Sequence, residues 1–160
     1  MVQPNNPRPA IVMDATVVIS LAAKERTTHS QVNAEVTNYL SSGYEFFAPG
    51  VLVSETLFSL CRMLVTDQTL TSAQHAQAVT DFHTLLTFIS PPPQGEISLV
   101  LRAEAIRGNY TCYRTADAVY IALAEELSQS RPATLLTLDD GIRNQAAKNA
   151  SGVRVQVITP

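Results

Sequence analysis

Short apolar runs alternate with longer amphipathic stretches along the whole chain. The runs have the length and hydrophobicity of buried strands, which predicts strands at residues 10–13, 44–48, 86–89, 133–138 and 153–158. Apolar positions at helical spacing predict helices over residues 16–23, 29–42, 51–65, 72–85, 97–107, 116–129 and 140–149. This alternation is typical of an α/β fold with a mainly parallel sheet and helices on both faces.

Two of the predicted helices differ in their polarity. The middle of the helix at 116–129 is apolar on every side, so this helix is expected to be buried. The helix at 51–65 carries a polar stripe roughly on one face, formed by Ser54, Glu55, Ser59 and Arg62.

The length of 160 residues is close to that of one domain, and 46% of the residues are hydrophobic. We therefore expect a proline-rich, flexible lead-in at 1–9 and a single domain over 10–160. The start of the chain lacks a basic segment followed by an apolar one, and no apolar stretch is long enough to cross a membrane. A soluble, cytoplasmic protein is expected. Cys61 and Cys112 form no Cys-x-x-Cys pair, which predicts packed thiols and neither a zinc site nor a disulfide.

The net charge of -3 argues against sequence-independent coating of DNA, which needs many Lys and Arg side chains on phosphates. It is compatible with a nucleic-acid substrate, because an acidic cleft that binds divalent cations receives a phosphodiester through those ions. A few local cations such as Arg102, Arg107 or Arg114 would then be sufficient.

Four carboxylates lie at element junctions or in apolar surroundings: Asp14, Glu55, Asp117 and Asp139. Asp14 and Asp139 each follow a predicted parallel strand, and the carboxyl ends of such strands share one edge of the sheet, where ligands bind. Each acid also has a purely structural interpretation. Asp14 and Asp139 would cap helices, Asp117 would interact with a helix dipole, and Glu55 would belong to an exposed stripe.

Taken together, these acids indicate a cation. Carboxylates that converge within about 4–6 Å repel one another unless a positive ion neutralises them. Hard oxygen ligands, with no His or Cys in the same motifs, favour Mg²⁺ or Mn²⁺ over zinc. No Gly-rich phosphate loop is present, which argues against the common ATPase class.

Four segments resemble the signatures of PIN-domain ribonucleases, and the likeness is closest to the VapC toxins of prokaryotic toxin–antitoxin pairs. They are Ile-Val-Met-Asp-Ala-Thr at 11–16, Ala-Pro-Gly-Val-Leu-Val-Ser-Glu-Thr-Leu at 48–57, Tyr-Arg-Thr-Ala-Asp-Ala-Val-Tyr-Ile-Ala-Leu-Ala-Glu at 113–125, and Leu-Thr-Leu-Asp at 136–139. Their order and spacing span nearly the whole chain.

The resemblance implies a PIN-like, three-layer α/β/α fold with about five strands. It also implies an acidic pocket that binds Mg²⁺ or Mn²⁺ and cleaves RNA internally. By motif position, the catalytic and metal-binding residues are Asp14, Glu55, Asp117 and Asp139. Thr16 and Thr137 match positions where a hydroxyl is frequent and would hydrogen-bond a carboxylate or a water on the metal, although ordinary helix-start and strand roles explain them equally well. Asp140 adjoins the fourth acid as an outer helper.

The resulting hypothesis is an endoribonuclease toxin in which Asp14, Asp117 and Asp139 hold one or two ions and Glu55 acts on the attacking water. By resemblance, its partners are an RNA substrate, a small cognate antitoxin that docks near the first helices, and a second copy of the chain. Arg114, flanked by Tyr110 and Tyr113, would grip the RNA or pack at the rim. The alternative is a PIN-like module for RNA processing or for non-catalytic partner binding.

Overall fold

The computed structural model describes residues 6–159, which form a five-stranded sheet and seven α-helices. The strands are β1 (Ala10–Met13), β2 (Glu45–Phe47), β3 (Ile89–Ser90), β4 (Ala133–Thr137) and β5 (Arg154–Val157). The helices are α1 (Ala15–Ala23), α2 (His29–Ser41), α3 (Val51–Val65), α4 (Ser72–Leu86), α5 (Val100–Arg107), α6 (Thr115–Ser128) and α7 (Asp140–Asn149). Short 3-10 turns at Glu96–Leu99 and Cys112–Arg114 precede α5 and α6.

All strands of the sheet run parallel, in the order β3-β2-β1-β4-β5. The predicted α/β class is therefore confirmed. From β1 the chain builds one half of the sheet through β2 and β3, and it then returns to build the other half through β4 and β5. The carboxyl ends of β1 and β4 thus meet where the winding direction reverses, which is where open parallel sheets form a crevice.

The helices form two groups on the sheet. Helices α1 to α4 pack against one another, and α5 to α7 form a second group. Right-handed crossovers place the two groups on opposite faces, which gives three layers. Strand β1 is fully buried, and the middle of α6 is buried as its apolar pattern predicts. Five buried apolar residues in a row leave α6 little freedom to shift, so its first turn is held firmly at the edge of the sheet.

Element boundaries differ from the predictions at three places. The helix expected over 97–107 begins instead as a 3-10 turn and becomes α-helical at Val100. Helix α4 continues through Leu86, which moves the brief strand to Ile89–Ser90. Thr115 was expected to cap α6, but α6 begins at that residue because the preceding 3-10 turn runs directly into the helix.

The prediction that the two cysteine thiols are packed was wrong. Cys61 and Cys112 are both exposed free thiols. Cys61 lies on the outer face of α3, and Cys112 opens the 3-10 turn before α6, so neither position faces the core. The general tendency of free cysteine to be buried as a small hydrophobe gave a misleading signal here.

The lead-in predicted at 1–9 lies partly outside the described residues, which begin at residue 6. At its described end, the carbonyl oxygen of Pro9 accepts a hydrogen bond from the backbone N–H of Glu45, at 2.9 Å. The boundary between lead-in and domain stays a prediction. Within residues 6–159, no helix combines the length and hydrophobicity needed to span a membrane.

Candidate active site

Asp14 directly follows β1 and caps α1, and only 3% of it is exposed. Its Oδ2 atom accepts hydrogen bonds from the hydroxyls of Thr16, at 2.5 Å, and Thr137, at 2.8 Å. The backbone N–H of Thr16 lies 3.4 Å from the same oxygen. Within the described chain these contacts all fall on Oδ2, so the second oxygen, Oδ1, remains available to another partner.

The two threonines tie the ends of β1 and β4 together. The Thr137 hydroxyl accepts a hydrogen bond from the backbone N–H of Asp139, at 2.9 Å, while it donates to Asp14. The Thr16 hydroxyl accepts from the backbone N–H of Leu138, at 3.0 Å. The prediction that these hydroxyls would hydrogen-bond a carboxylate is confirmed, and the Thr137 hydroxyl links the Asp14 carboxylate to the backbone N–H of Asp139.

Asp117 and Asp139 share one cation, the guanidinium of Arg114. The Arg114 Nη1 atom donates to Asp117 Oδ2, at 2.7 Å, and to Asp139 Oδ2, at 2.9 Å. The other Asp139 oxygen caps α7 by accepting the backbone N–H of Gly141, at 2.7 Å. The structure therefore brings the first turns of α6 and α7 together through these side chains.

Glu55 reaches the site from α3. Its Oε2 atom accepts a hydrogen bond from the hydroxyl of Tyr120, at 2.8 Å, and Tyr120 is fully buried in the second turn of α6. Burial and the neighbouring Glu55 charge raise the pKa of the Tyr120 hydroxyl, which keeps it protonated as a donor. Glu55, which belongs to the predicted polar stripe on α3, thus contacts a buried side chain.

The electrostatics link all four acids. Burial raises the pKa of Asp14, Glu55 and Asp117 above their ordinary values. Repulsion adds to this effect: Asp117 raises the pKa of Asp14, both of these acids raise that of Glu55, and Asp139 raises that of Asp117. Hydrogen bonds oppose these shifts by stabilising the charged carboxylates. The Thr16 and Thr137 hydroxyls donate to Asp14, the Tyr120 hydroxyl donates to Glu55, and the Arg114 guanidinium donates to Asp117. Asp14, Glu55 and Asp117 therefore lie close enough to influence one another, and Asp139 lies close enough to influence Asp117.

The family model for the PIN domain matches residues 11–148, nearly the whole described fold. The chain belongs to the PIN domain family. PIN domains are generally nucleases, which supports a hydrolase. No curated protein matches the sequence.

Solved structures with a similar fold include two complexes with DNA. The structure of VapBC2 from Rickettsia felis, bound to a DNA fragment from their promoter, superposes with a TM-score of 0.57 at 8% identity, and covers 92% of this chain and 98% of that chain. PAE2754 from Pyrobaculum aerophilum gives a TM-score of 0.52 at 15% identity, and the match covers 95% of this chain and 92% of that chain. FitAB bound to an IR36 DNA fragment gives a TM-score of 0.50 at 19% identity, and the match covers 92% of this chain and 94% of that chain. At these identities the similarity establishes the fold alone.

The donor atoms in this PIN domain fit a divalent metal ion chemically. The site offers carboxylate and hydroxyl oxygens, which Mg²⁺ and Mn²⁺ prefer. Burial first, and mutual repulsion second, raise the pKa values of three of the acids, and a nearby cation would oppose both effects. Within residues 6–159, however, no three His, Cys, Asp or Glu side chains are already grouped so as to hold one ion. Some of the acids must therefore move closer together for metal binding, and Arg114 lies between two of them.

Two features of the PIN site were not predicted from the sequence. Tyr120 was expected only as part of a buried helix, and the pairing of Arg114 with both Asp117 and Asp139 was not foreseen. The spacing of three residues between Arg114 and Asp117 is a recognisable signal for an ion pair. Asp140, expected as an outer helper, is exposed and pairs with Arg143, at 2.7 Å. Tyr113 is 94% exposed, and its predicted contact with RNA stays a prediction.

Proposed function

We propose that this PIN domain is a Mg²⁺- or Mn²⁺-dependent endoribonuclease and the toxin of a cytoplasmic, VapBC-type toxin–antitoxin pair. The observation that carries the proposal is the position of Asp14. This carboxylate is buried just after β1, where its charge is costly, and the Thr137 hydroxyl links it to the backbone N–H of Asp139. A purely structural cap would not need a second acid across the strand ends.

Each acid has a proposed role. Asp14, Asp117 and Asp139 would hold the ion or ions, with Glu55 at the edge of the group. When bound, the ion would act as a Lewis acid that activates water and offsets the negative charge on the scissile phosphate. Glu55, held by the Tyr120 hydroxyl, would orient the attacking water and accept its proton, a role that its raised pKa favours.

An open cleft of about 530 Å³ adjoins the site through Thr16, whose hydroxyl donates to Asp14, and its proximity supports a polynucleotide substrate. Thr16 and Leu138 lie at its active-site end, and Arg62 supplies a guanidinium farther along. Arg62 is paired with Asp67, at 3.1 Å, on an exposed surface. Such exposed pairs contribute only about 0–1 kcal/mol, so a backbone phosphate could compete for Arg62.

The antitoxin is proposed to dock in an apolar groove beside α1, α2 and α4. This groove has a volume of about 200 Å³, and its apolar lining comprises Met13, Leu21, Val36, Leu40, Phe46, Leu85, Phe88 and Ile89. Leu40 and Phe88 are more than half exposed, at 53% and 61%. The similarity of fold to VapBC2 and FitAB supports this partner.

A homodimer is proposed through α3 and the segment that leads into α5. Both elements carry large apolar side chains on the surface, namely Val53, Leu57, Phe58, Ile97, Val100 and Leu101. The two elements are linked at their starts, because Glu96 accepts the backbone N–H of Gly50 at 2.6 Å. A second copy of the chain would cover this apolar surface.

Cleavage of structured RNA tests the nuclease. The purified protein should cut RNA with Mn²⁺ and stop when a chelator is added, whereas Asp14→Asn and Asp117→Asn should lower the rate by at least about 100-fold. Asp81→Asn is the matched control, because Asp81 lies on α4 in a surface ion pair with Lys24. Full activity of Asp14→Asn would refute the site. RNA binding without any cleavage would instead favour the non-catalytic alternative.

A further inference from the structure

The Arg114 guanidinium lies between two proposed metal ligands. A single nitrogen, Nη1, contacts Oδ2 of both Asp117 and Asp139. Both acids stabilise the charged form of Arg114 and raise its pKa. The acids that would face a metal ion thus already face a side-chain cation.

A divalent ion and this guanidinium would compete for those two oxygens. They carry charge of the same sign, and at contact distances they repel strongly. Arginine keeps its charge at any accessible pH, so it cannot leave by losing a proton. Its side chain must move away. Because Arg114 projects from a short 3-10 turn and its side chain is 34% exposed, solvent offers it a place to go.

Gly141 shows that space is left for the guanidinium. A Cβ atom built at this position would lie 2.3 Å from Arg114 Nη2 and 2.4 Å from Nη1, so any larger residue would push the guanidinium away. Gly141 lies in the first turn of α7, and its φ is not in the left-handed region. Alanine there would suit the helix better than glycine by up to about 1 kcal/mol. Close approach of Arg114 is therefore the physical reason for a residue without a side chain.

We infer that Arg114 is a built-in competitor for the divalent ion: it bridges Asp117 and Asp139 in the metal-free protein and is displaced when the ion binds. This inference rests on the proposed metal-dependent function. It makes Arg114 a positioning residue that keeps the two carboxylates together and sets the ion concentration at which the site fills.

Direct titration with Mn²⁺ tests the inference. The free Mn²⁺ signal in electron paramagnetic resonance reports binding without any RNA or activity. Arg114→Gln removes the competitor, and Gly141→Ala displaces it while its charge is kept. We expect both variants to bind Mn²⁺ at least about fivefold more tightly than the parent, as expected for the loss of two partly exposed ion pairs. Arg107→Gln is the matched control, because it removes the same charge from an (i, i+3) pair with Glu104 on α5 and should leave the affinity unchanged.

The outcomes separate this inference from the proposed function. If the parent binds Mn²⁺, Asp14→Asn loses that binding, and neither Arg114→Gln nor Gly141→Ala binds more tightly, the competitor role is overturned and the metal site stands. If no variant binds Mn²⁺, both proposals fail. Thermal unfolding shows which variants are folded. Should Arg114→Gln unfold, Gly141→Ala still decides the question.

Discussion

Replacing Asp14 with Asn removes one charge from the buried end of β1 and preserves the shape of the side chain. The hydrogen bonds to Asp14 from Thr16 and Thr137 all fall on Oδ2, which the amide oxygen of Asn can replace. The amide nitrogen then takes the place of Oδ1. The main energetic change is therefore the loss of a buried negative charge.

The raised pKa of Asp14 gives the sign of the effect. Burial outweighs the two hydroxyls that stabilise the carboxylate, so ionisation of Asp14 costs stability in the folded, metal-free protein. A shift of one pKa unit corresponds to about 1.4 kcal/mol of folding free energy. For a chain of this length, each kcal/mol corresponds to about 2–4 °C in Tm. We therefore expect metal-free Asp14→Asn to melt at least about 2 °C above the parent at pH 7.5.

The pH dependence follows from the same shift. A carboxyl group whose pKa is raised in the folded state contributes its full stability below the unfolded value of about 3.9, and that contribution is lost as the pH rises through the folded value. Glu55 and Asp117 shift in the same direction. From about pH 4 toward neutral pH the metal-free parent should lose stability, and Asp14→Asn should lose less.

Calorimetry in the presence of a chelator, from pH 4.5 to 8, measures both effects. Asp81→Asn removes a surface charge and should leave Tm within about 1 °C of the parent. Added Mn²⁺ should raise Tm of the parent and not that of Asp14→Asn, because only a protein that binds the ion is stabilised by it. A lower Tm for metal-free Asp14→Asn at pH 7.5 would refute the reasoning, since the carboxylate would then be a net stabilising group.

Two further predictions concern the proton acceptor and the partner surfaces. Tyr120→Phe removes the hydrogen bond that lowers the pKa of Glu55. The acid limb of the pH profile for cleavage should therefore move to higher pH, and the cleavage rate should fall several-fold. Tyr39→Phe is the control, because it loses a hydroxyl that contacts Gln156 away from the site and should change neither property. Leu40→Asp should abolish antitoxin binding without changing the oligomeric mass, and Leu101→Asp should halve the mass in light scattering while antitoxin binding is retained. Each of these two variants is the control for the other, and loss of both properties in either one would argue that the surfaces are not separate.

The parallel sheet and two of its acids could be predicted because they depend on local pattern. Buried parallel strands appear as continuous apolar runs, and Asp14 and Asp139 follow two such runs. The topology then brings the ends of β1 and β4 together. Strand β3 was misplaced because two residues of an edge strand carry too little periodicity to separate them from the end of α4.

Other features depend on tertiary packing and could not be predicted. The outer surface of α3 exposes Phe58 and Cys61, although both belong to a strongly apolar segment. An apolar helix face can be buried in the core of its own chain or can lie exposed on the surface. The sequence does not distinguish these two cases. The Arg114 bridge has the same origin. Its local contact with Asp117 is implied by spacing, but its contact with Asp139 spans 25 residues and requires α6 and α7 to meet.

The structural and functional interpretations of Asp14 and Asp139 are compatible, because each carboxylate has two oxygens. Asp139 caps α7 with Oδ1 and presents Oδ2 to Arg114. Asp14 concentrates its cap and both hydroxyl contacts on Oδ2, which keeps Oδ1 for a further partner. Contacts from backbone N–H groups thus help to fix the orientation of each carboxylate before any ion binds. A carboxylate held in this way loses less conformational freedom on binding a cation, and helix caps at the ends of adjacent parallel strands are therefore a physically economical base for a metal site.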